Sequence, residues 1–295
     1  MTPNTIAILM PGDMGHGVGR ALLAHGKDVI TALDGRSART KGLAEAAGLR
    51  DAGSIANAVA GADLILSILP PDSAVKQAEA VAAAMKSSGK NPVYVDCNAI
   101  SPATAIEVGQ IVSGAGAPFI DCGIIGLAPG KGGGTRFYVS GPDTAPMTAL
   151  DGLGFTVTAV GAEPGKASAL KMSYAGLTKG TWTLHTAVLM AARQLGVLPE
   201  LLDEFRISQG AALQAMESRV SKLPADSGRW IGEMEEIAAT FAGAGVTSGF
   251  HDGAAEVFRV LAQTPFASET RETWDLSRTM EQSLEEYVKH LGKSD

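Results

Sequence analysis

The spacing of apolar positions changes near residue 162. Before it, short apolar runs alternate with stretches of helical period: Thr5 to Leu9, Val29 to Leu33, Leu64 to Leu69 and Val93 to Val95 read as strands, with helices over Ala38 to Ala47 and Ala74 to Met85. Three further short strands are predicted near Phe119 to Asp121, Arg136 to Val139 and Thr156 to Val160. Strands that alternate with helices predict an α/β unit built on a parallel, doubly wound sheet. From Gly161 to Leu195 the period becomes helical throughout. Pro164 and Gly165 can start a helix and no proline follows until Pro199, so the pattern predicts one helix of about 30 residues, roughly 45 Å long. After it, helices are predicted over Pro199 to Arg219, Trp230 to Phe241, Gly249 to Leu261 and Ser268 to Leu291, separated by turn signals at Pro224 to Arg229 and at Pro265. The expected organisation is an α/β domain over 1–162 and an all-α domain over 163–295, joined by the long helix.

Composition narrows the classes of partner. With 295 residues, 45% apolar and 19% charged, the chain can bury two cores, and disorder is not expected. A formal net charge of -7 without a block of like charges argues against nucleic acid or a polybasic membrane contact, and points to a small-molecule partner. No apolar run reaches a membrane span, and the apolar stretch Ile6 to Met10 is too short for a targeting segment, so a cytoplasmic location is expected. Cys97 and Cys122, each at the end of a predicted strand, read as reduced, buried thiols. His16, His25 and His185 lack ligand spacing and no Cys/His cluster occurs, so no metal is expected.

The first strand is followed by Met10-Pro-Gly-Asp-Met-Gly15, a glycine-rich turn that opens a helix. Glycines at that place let a pyrophosphate approach the backbone amides of a helix N-terminus. The dinucleotide pattern Gly-x-Gly-x-x-Gly is incomplete, because its positions fall on Met10, Gly12 and Gly15; Pro11 is expected to hold Met10 extended and so prolong the strand. Gly12, Asp13, Met14 and Gly15 are the candidate pyrophosphate contacts. After the second strand come Asp34, Arg36, Ser37, Arg39 and Thr40. Asp34 could hold the ribose hydroxyls of NAD, whereas Arg36 and Ser37, with Arg39 and Thr40, make a better cradle for the extra phosphate of NADP. NADP is the expected cofactor, NAD the other possibility.

These residues resemble the β-hydroxyacid dehydrogenase family, whose relatives include 6-phosphogluconate dehydrogenase and the imine reductases. Gly12-Asp-Met-Gly15 is similar to the end of that family's glycine turn, and Gly35-Arg-Ser37 to its Asn-Arg-Thr. Leu66-Ser-Ile-Leu-Pro-Pro71 resembles the loop along the nicotinamide, which would involve Leu69 and Pro70. Val95-Asp-Cys-Asn-Ala-Ile-Ser-Pro102 resembles Asp-x-Ser-Thr-x-x-Pro, with Asn98 in the serine's place, and Phe119 to Gly126 resembles Asp-Ala-Pro-Val-Ser-Gly-Gly. The family's catalytic lysine falls on Lys171. Six matches in order over about 170 residues are more specific than any one of them. The resemblance covers nearly the whole chain, and the nearest subgroup has a phosphogluconate-dehydrogenase-like C-terminal domain.

The resemblance implies a Rossmann half, a helical half, and a hydride passed between a nicotinamide and a carbonyl or alcohol carbon, with Lys171 as general acid or base and Asn98 near the reacting groups. A lysine on a helix facing a partly apolar cleft suits that work, since burial disfavours its charged form. Lys166 and Lys179, on the same helix, read as surface residues. Two substrate-holding groups of the family are absent, because Ile125 and Ala175 stand where a serine and an asparagine are usual. Glu235 and Glu236 replace a lysine-aspartate pair, and Glu233, Glu236 and Thr240 share one helical face while Met234, Ile237 and Phe241, read as core, share another. His251 could bond a substrate oxygen or share proton transfer; it could equally be capped into its helix start by Asp252. The resemblance also implies a homodimer. Imine reduction is the alternative activity, although those enzymes usually lack the lysine, and a nucleotide-binding sensor without turnover is the alternative of another class.

Overall fold

The computed structural model of the chain describes residues 2–270 and 273–292. It divides into two compact units, residues 1–172 and 173–295, so the division falls within one long helix.

The first unit opens with β1 (Thr5–Leu9), α1 (Gly15–Ala24), β2 (Asp28–Thr31), α2 (Ala38–Ala47), β3 (Arg50–Asp51), α3 (Ile55–Gly61), β4 (Leu64–Ser67), α4 (Ala74–Ser88) and β5 (Val93–Asp96). It continues through α5 (Pro102–Ser113), β6 (Phe119–Ile125), β7 (Arg136–Ser140), α6 (Ala145–Thr148) and β8 (Thr156–Gly161) to α7 (Lys166–Gln194). The eight strands form one sheet in the order β3-β2-β1-β4-β5-β6-β7-β8, parallel except where β6 meets β7. Alternate strand residues feed two cores: Ile6, Ile8, Leu64 and Leu66 join one cluster, Ala7, Leu9, Ile65 and Tyr94 the other. Burial on both faces explains why the strands read as continuous apolar runs.

The α/β class, the doubly wound sheet and the long helix are as the pattern predicts. Three helices went unmarked by the periodicity, α3, α5 and the short α6, and the first two are defined by their starts. Ser54 and Ser101 cap them by accepting from the Asn57 and Thr104 amides, and Pro102 takes the first helical position of α5, where a missing N–H costs nothing.

The second unit holds the rest of α7, then α8 (Leu198–Ser208), α9 (Gly210–Arg219), α10 (Pro224–Gly243), α11 (Gly249–Ala262) and α12 (Met280–Tyr287). Three expectations are corrected. The helix predicted over Pro199 to Arg219 breaks at Gln209, beside the weak helix former Gly210. Pro224 to Arg229 is no turn but the first turns of α10, with Pro224 at the helix start and Asp226 favourably placed in the first turn. The last helix begins at Met280 rather than Ser268, because Thr279 and Gln282 form a reciprocal capping box; residues 271 and 272 of the expected helix lie outside the described residues.

Lys179 is also corrected, from surface residue to buried ion pair. Its side chain is 8% exposed, its ammonium lies 2.6 Å from Glu233 Oε2, and Trp230 packs beside it. Arg229 reaches the other Glu233 oxygen at 3.0 Å. Removing one member of a buried pair strands the other, so Lys179→Met should lower stability by about 3 kcal/mol, read as a shift in urea midpoint. The double variant Lys179→Met/Glu233→Leu should recover most of that loss; an equally unstable double variant would mean that packing, not charge, governs the position.

Candidate active site

Strand β1 ends at Leu9, and Met10 turns the chain with φ +60, the left-handed region that favours glycine. The expectation that Pro11 keeps Met10 extended is therefore wrong. The turn closes tightly at the next residue, Gly12 N donating to Met10 O at 2.7 Å across Pro11, and the left-handed conformation of Met10 costs about 1 kcal/mol. Met10 adopts the backbone geometry that the missing first glycine would supply more cheaply. Gly15 begins α1 so close to β1 that an added Cβ would stand 3.2 Å from both Ile8 Cγ2 and Met10 O. Met14, in the capping position before α1, supplies no side-chain cap, and the first turn holds no acidic residue, which suits an anion at that end. Open space lies where a Cβ on Gly12 would point.

Positive charge stands beside the turn. Arg36 is half-buried, its Nη1 3.7 Å from Met10 Sδ and its Nη2 donating to Gln77 Oε1 at 3.2 Å. Ser37 caps α2, accepting from Thr40 N, and shares a hydroxyl contact with Thr40 at 3.1 Å. Arg39 pairs with Asp13 at 2.7 Å and offsets a carboxylate within the anion-binding turn. Asp34 is exposed. These groups fit a dinucleotide, and Gln77 is a contributor that sequence spacing gave no reason to select.

Asn98 is buried and fully engaged as a donor. Its Oδ1 accepts from Leu69 N at 2.6 Å, and its Nδ2 donates to Ser67 Oγ at 3.2 Å and Asp96 Oδ2 at 2.8 Å. The side chain thereby fixes the Leu69–Pro70 segment, and both its amide hydrogens are committed within the protein.

Asp96 lies beneath it, wholly buried, beside its register partner Asp121 on β6. Burial first, and the neighbouring Asp121 carboxylate after it, raise the Asp96 carboxyl to about 7 against the bonds from Asn98. Asp121 in turn holds the start of α7. Its Oδ2 accepts from the backbone amides of Gly165, Ala167 and Ser168 at 2.9, 3.0 and 3.0 Å and from Ser140 Oγ at 2.9 Å, while Oδ1 accepts from Ser168 Oγ at 2.6 Å. An aspartate inside the apolar run Phe-Ile-Asp-Cys-Gly-Ile-Ile was the sequence signal for this group.

Lys171 is half-buried, five residues into α7. Its stem lies flush on Gly123 of β6, where an added Cβ would come within 2.6 Å of Lys171 Cβ and 2.8 Å of Ala167 O. Ile125 and Ala175 are both buried. Cys122 falls in the middle of β6 rather than at a strand end; it and Cys97 are buried free thiols.

His251 belongs to the second unit. It is 6% exposed and lies edge-on to Phe241 at 4.2 Å, over Gly176 and Gly180 of α7, with its Nδ1 buried and without a hydrogen-bond partner. Burial lowers its pKa, which keeps the ring neutral. Asp252 does not cap it; Asp252 Oδ2 accepts from Ser248 Oγ at 2.6 Å instead. The ring borders a groove of about 580 Å³ lined by Gly176, Leu177, Gly180, Leu184, Phe250 and Ala254, of which Leu177, Leu184 and Phe250 are exposed. Among the described residues, no group of acidic, histidine or cysteine side chains is placed to hold a metal ion, and no helix is long and apolar enough to cross a membrane.

The sheet order and the glycine turn at the end of β1 define a dinucleotide-binding α/β protein. Residues 5–161 match the family described as the NAD binding domain of 6-phosphogluconate dehydrogenase, and the chain belongs to that family. Residues 192–261 match a domain of unknown function, DUF1932. An uncharacterized 28.5 kDa protein of Methanothermus fervidus, from the 7S RNA 5′ region, is 28% identical over 183 residues, 62% of this chain and 69% of that protein. A conserved protein of unknown function, whose structure reveals similarity with 3-hydroxyacid dehydrogenases, is 26% identical with a TM-score of 0.64, covering 87% of this chain and 96% of that one. The 3-hydroxyisobutyrate dehydrogenase of Mycobacterium tuberculosis, solved with L-serine, is 21% identical with a TM-score of 0.63 over 88% of this chain and 93% of that one, a likeness of fold. The chain therefore carries a nicotinamide-dinucleotide domain on an oxidoreductase fold.

The buried Asp96 carboxyl makes stability depend on pH with a definite sign. Its folded pKa is raised, so its contribution is fully present below the unfolded value near 4 and is lost as pH rises through about 7. Across that window the wild-type protein should lose on the order of 4 kcal/mol relative to Asp96→Asn. Urea titrations of both proteins at several pH values check this, and parallel pH dependences would refute it.

Proposed function

We propose that the protein is an NADP-preferring reductase or dehydrogenase that passes a hydride between the nicotinamide and a carbonyl or alcohol carbon, with Lys171 as the general acid and base. The observation that carries this reading is the seating of Lys171. Gly123 brings no side chain against the base of that stem, so α7 lies close on β6 at Lys171, within the unit that contains the glycine turn.

When bound, the nicotinamide supplies or accepts the hydride. The protein's own groups do the rest. The uncapped start of α1 attracts the pyrophosphate, and Arg36, braced by Gln77, meets a 2′-phosphate. Asn98 keeps the Leu69–Pro70 backbone in place, acting as a brace in this reading. In reduction, Lys171 donates a proton to the oxygen of the carbonyl carbon that gains the hydride, giving the alcohol; in oxidation it takes that proton back. Ile125 offers no partner to a buried carboxylate, which favours bulkier, less charged carbonyl compounds over small hydroxy acids.

If Arg36 reads the phosphate, Arg36→Ala should weaken NADPH binding by about 2 kcal/mol and leave NADH binding nearly unchanged, as measured by fluorescence titration. Equal losses would reduce Arg36 to a support for the turn, and an NADH preference in the unmutated protein would give the role to Asp34.

Following NADPH absorbance at 340 nm against a panel of aldehydes, ketones and 3-hydroxyisobutyrate tests the reaction itself. Lys171→Met should lower turnover at least about 100-fold with NADPH affinity intact. An active Lys171→Met protein would remove the proposed mechanism. Highest efficiency on the small hydroxy acid would instead remove the substrate reading.

A further inference from the structure

Strand β6 presents alternate residues to the start of α7, and two of them meet it in different ways. Asp121 binds the helix end and Gly123, two residues on, clears a path for the Lys171 stem. The first contact is unusually complete. Three backbone amides at the mouth of α7 converge on a single carboxylate oxygen, Ser140 on β7 adds its hydroxyl to the same oxygen and also accepts from Ala167 N at 3.0 Å, and Ser168 closes the other oxygen. Asp121, Ser140 and Ser168 are each at most 1% exposed.

A cap supplied by the neighbouring strand does more than satisfy orphan amides. A local cap from a residue just before a helix moves with the helix, whereas Asp121 is 44 to 47 residues away in sequence and fixed in the sheet. Its bonds to Gly165, Ala167 and Ser168 therefore set both the height of α7 along β6 and its rotation about its own axis. Lys171 follows Ser168 by three residues, nearly one turn, so it inherits that setting directly. Gly123 shows how narrow the setting is, since one methyl group there would overlap both Lys171 and the Ala167 carbonyl.

We infer that Asp121 is the positioning residue for Lys171: by capping α7 from β6, with Gly123 as the matching clearance, it fixes where the lysine ammonium is delivered. This rests on Lys171 as the proton-transfer group, and goes beyond that reading by assigning its placement to a carboxylate that never meets substrate.

The test is competitive acetylation with trace acetic anhydride, which needs no substrate. The labelling of Lys171 is quantified by mass spectrometry relative to exposed Lys86 on α4, in the full-length protein, with NADPH affinity and circular dichroism as controls. Asp121→Ala and Gly123→Ala should each change the Lys171 to Lys86 ratio by about 3-fold or more, and each should lower turnover on the carbonyl panel while leaving the KM for NADPH unchanged. Asp121→Asn keeps an oxygen for the three amides and should restore most of both quantities; Ser168→Ala, which removes one bond, should fall between it and the wild type. On a Lys171→Met background, Asp121→Ala should cost no further turnover. Unchanged ratios in folded Asp121→Ala and Gly123→Ala overturn the inference. Should those two fail to fold, equal ratios in Asp121→Asn, Ser168→Ala and the wild type, together with turnover lowered in neither, overturn it as well. Full turnover in Lys171→Met would sink the reading of the lysine, while the labelling ratios would still report whether Asp121 places it.

Discussion

A single buried carboxylate joins the sheet to the helix that leads into the second unit. Asp121 is taken out of water, and burial of an anion is tolerated only where donors replace the lost hydration. Here the donors are the amides that any helix leaves unsatisfied at its N-terminus, together with two serine hydroxyls. Each side meets the other's requirement, and the helix dipole adds to the attraction. The arrangement also has a cost one strand away. Asp96, opposite Asp121 in register, feels a like charge at short range on top of its own burial, and its carboxyl rises to about 7.

The glycine turn makes a similar trade in backbone strain. Residue 10 leaves β1 with a positive φ just before the bond from Gly12 N to Met10 O closes the turn, and the chain accepts this with methionine rather than glycine. The side chain that methionine brings has a use. Its sulfur lies against Arg36, which Gln77 holds from the other side, so the guanidinium is confined next to the turn instead of free in solvent. A confined guanidinium loses less entropy on meeting a phosphate than a mobile one. The same turn carries Asp13, an acid where an anion is to bind, and Arg39 answers it.

What the sequence revealed and what it hid divide along physical lines. Periodicity exposed every long apolar strand and the 29-residue α7, because burial on two faces or along one helical stripe leaves a repeating mark. Capping geometry left a weaker mark, so α3 and α5 went unseen and the starts of α10 and α12 were misplaced, although Ser54, Ser101, Pro224 and Thr279 were all in view. Residue types with one strong chemical use, such as Arg36 and Lys171, could be selected as candidates. Pairings could not: nothing local to Lys179 says that Glu233, 54 residues away, will bury it, and nothing local to Asp121 names Gly165 or Ser168 as its partners. Met10 failed for a further reason, since the extended preference of a residue before proline is only a local tendency and the chain leaves β1 with a positive φ there.

In an open parallel sheet, ligands bind beyond the carboxyl ends of the strands, so the polar groups there are expected to face the ligand. In this chain several of them face each other. Ser67 at the end of β4, Asp96 at the end of β5 and Asn98 just beyond it form a closed set whose remaining bond goes to the Leu69 amide. Because that set is buried and both Asn98 amide hydrogens are taken within it, its members hold the Leu69–Pro70 backbone but have few atoms left with which to select a substrate. In the proposed reading, selection then falls to groups outside the set, Arg36 for the cofactor and Lys171 for the reacting oxygen. A floor built this way resists change at its own positions and tolerates it around them, so in the proposed reading the surrounding side chains can change with the substrate while these braces stay the same.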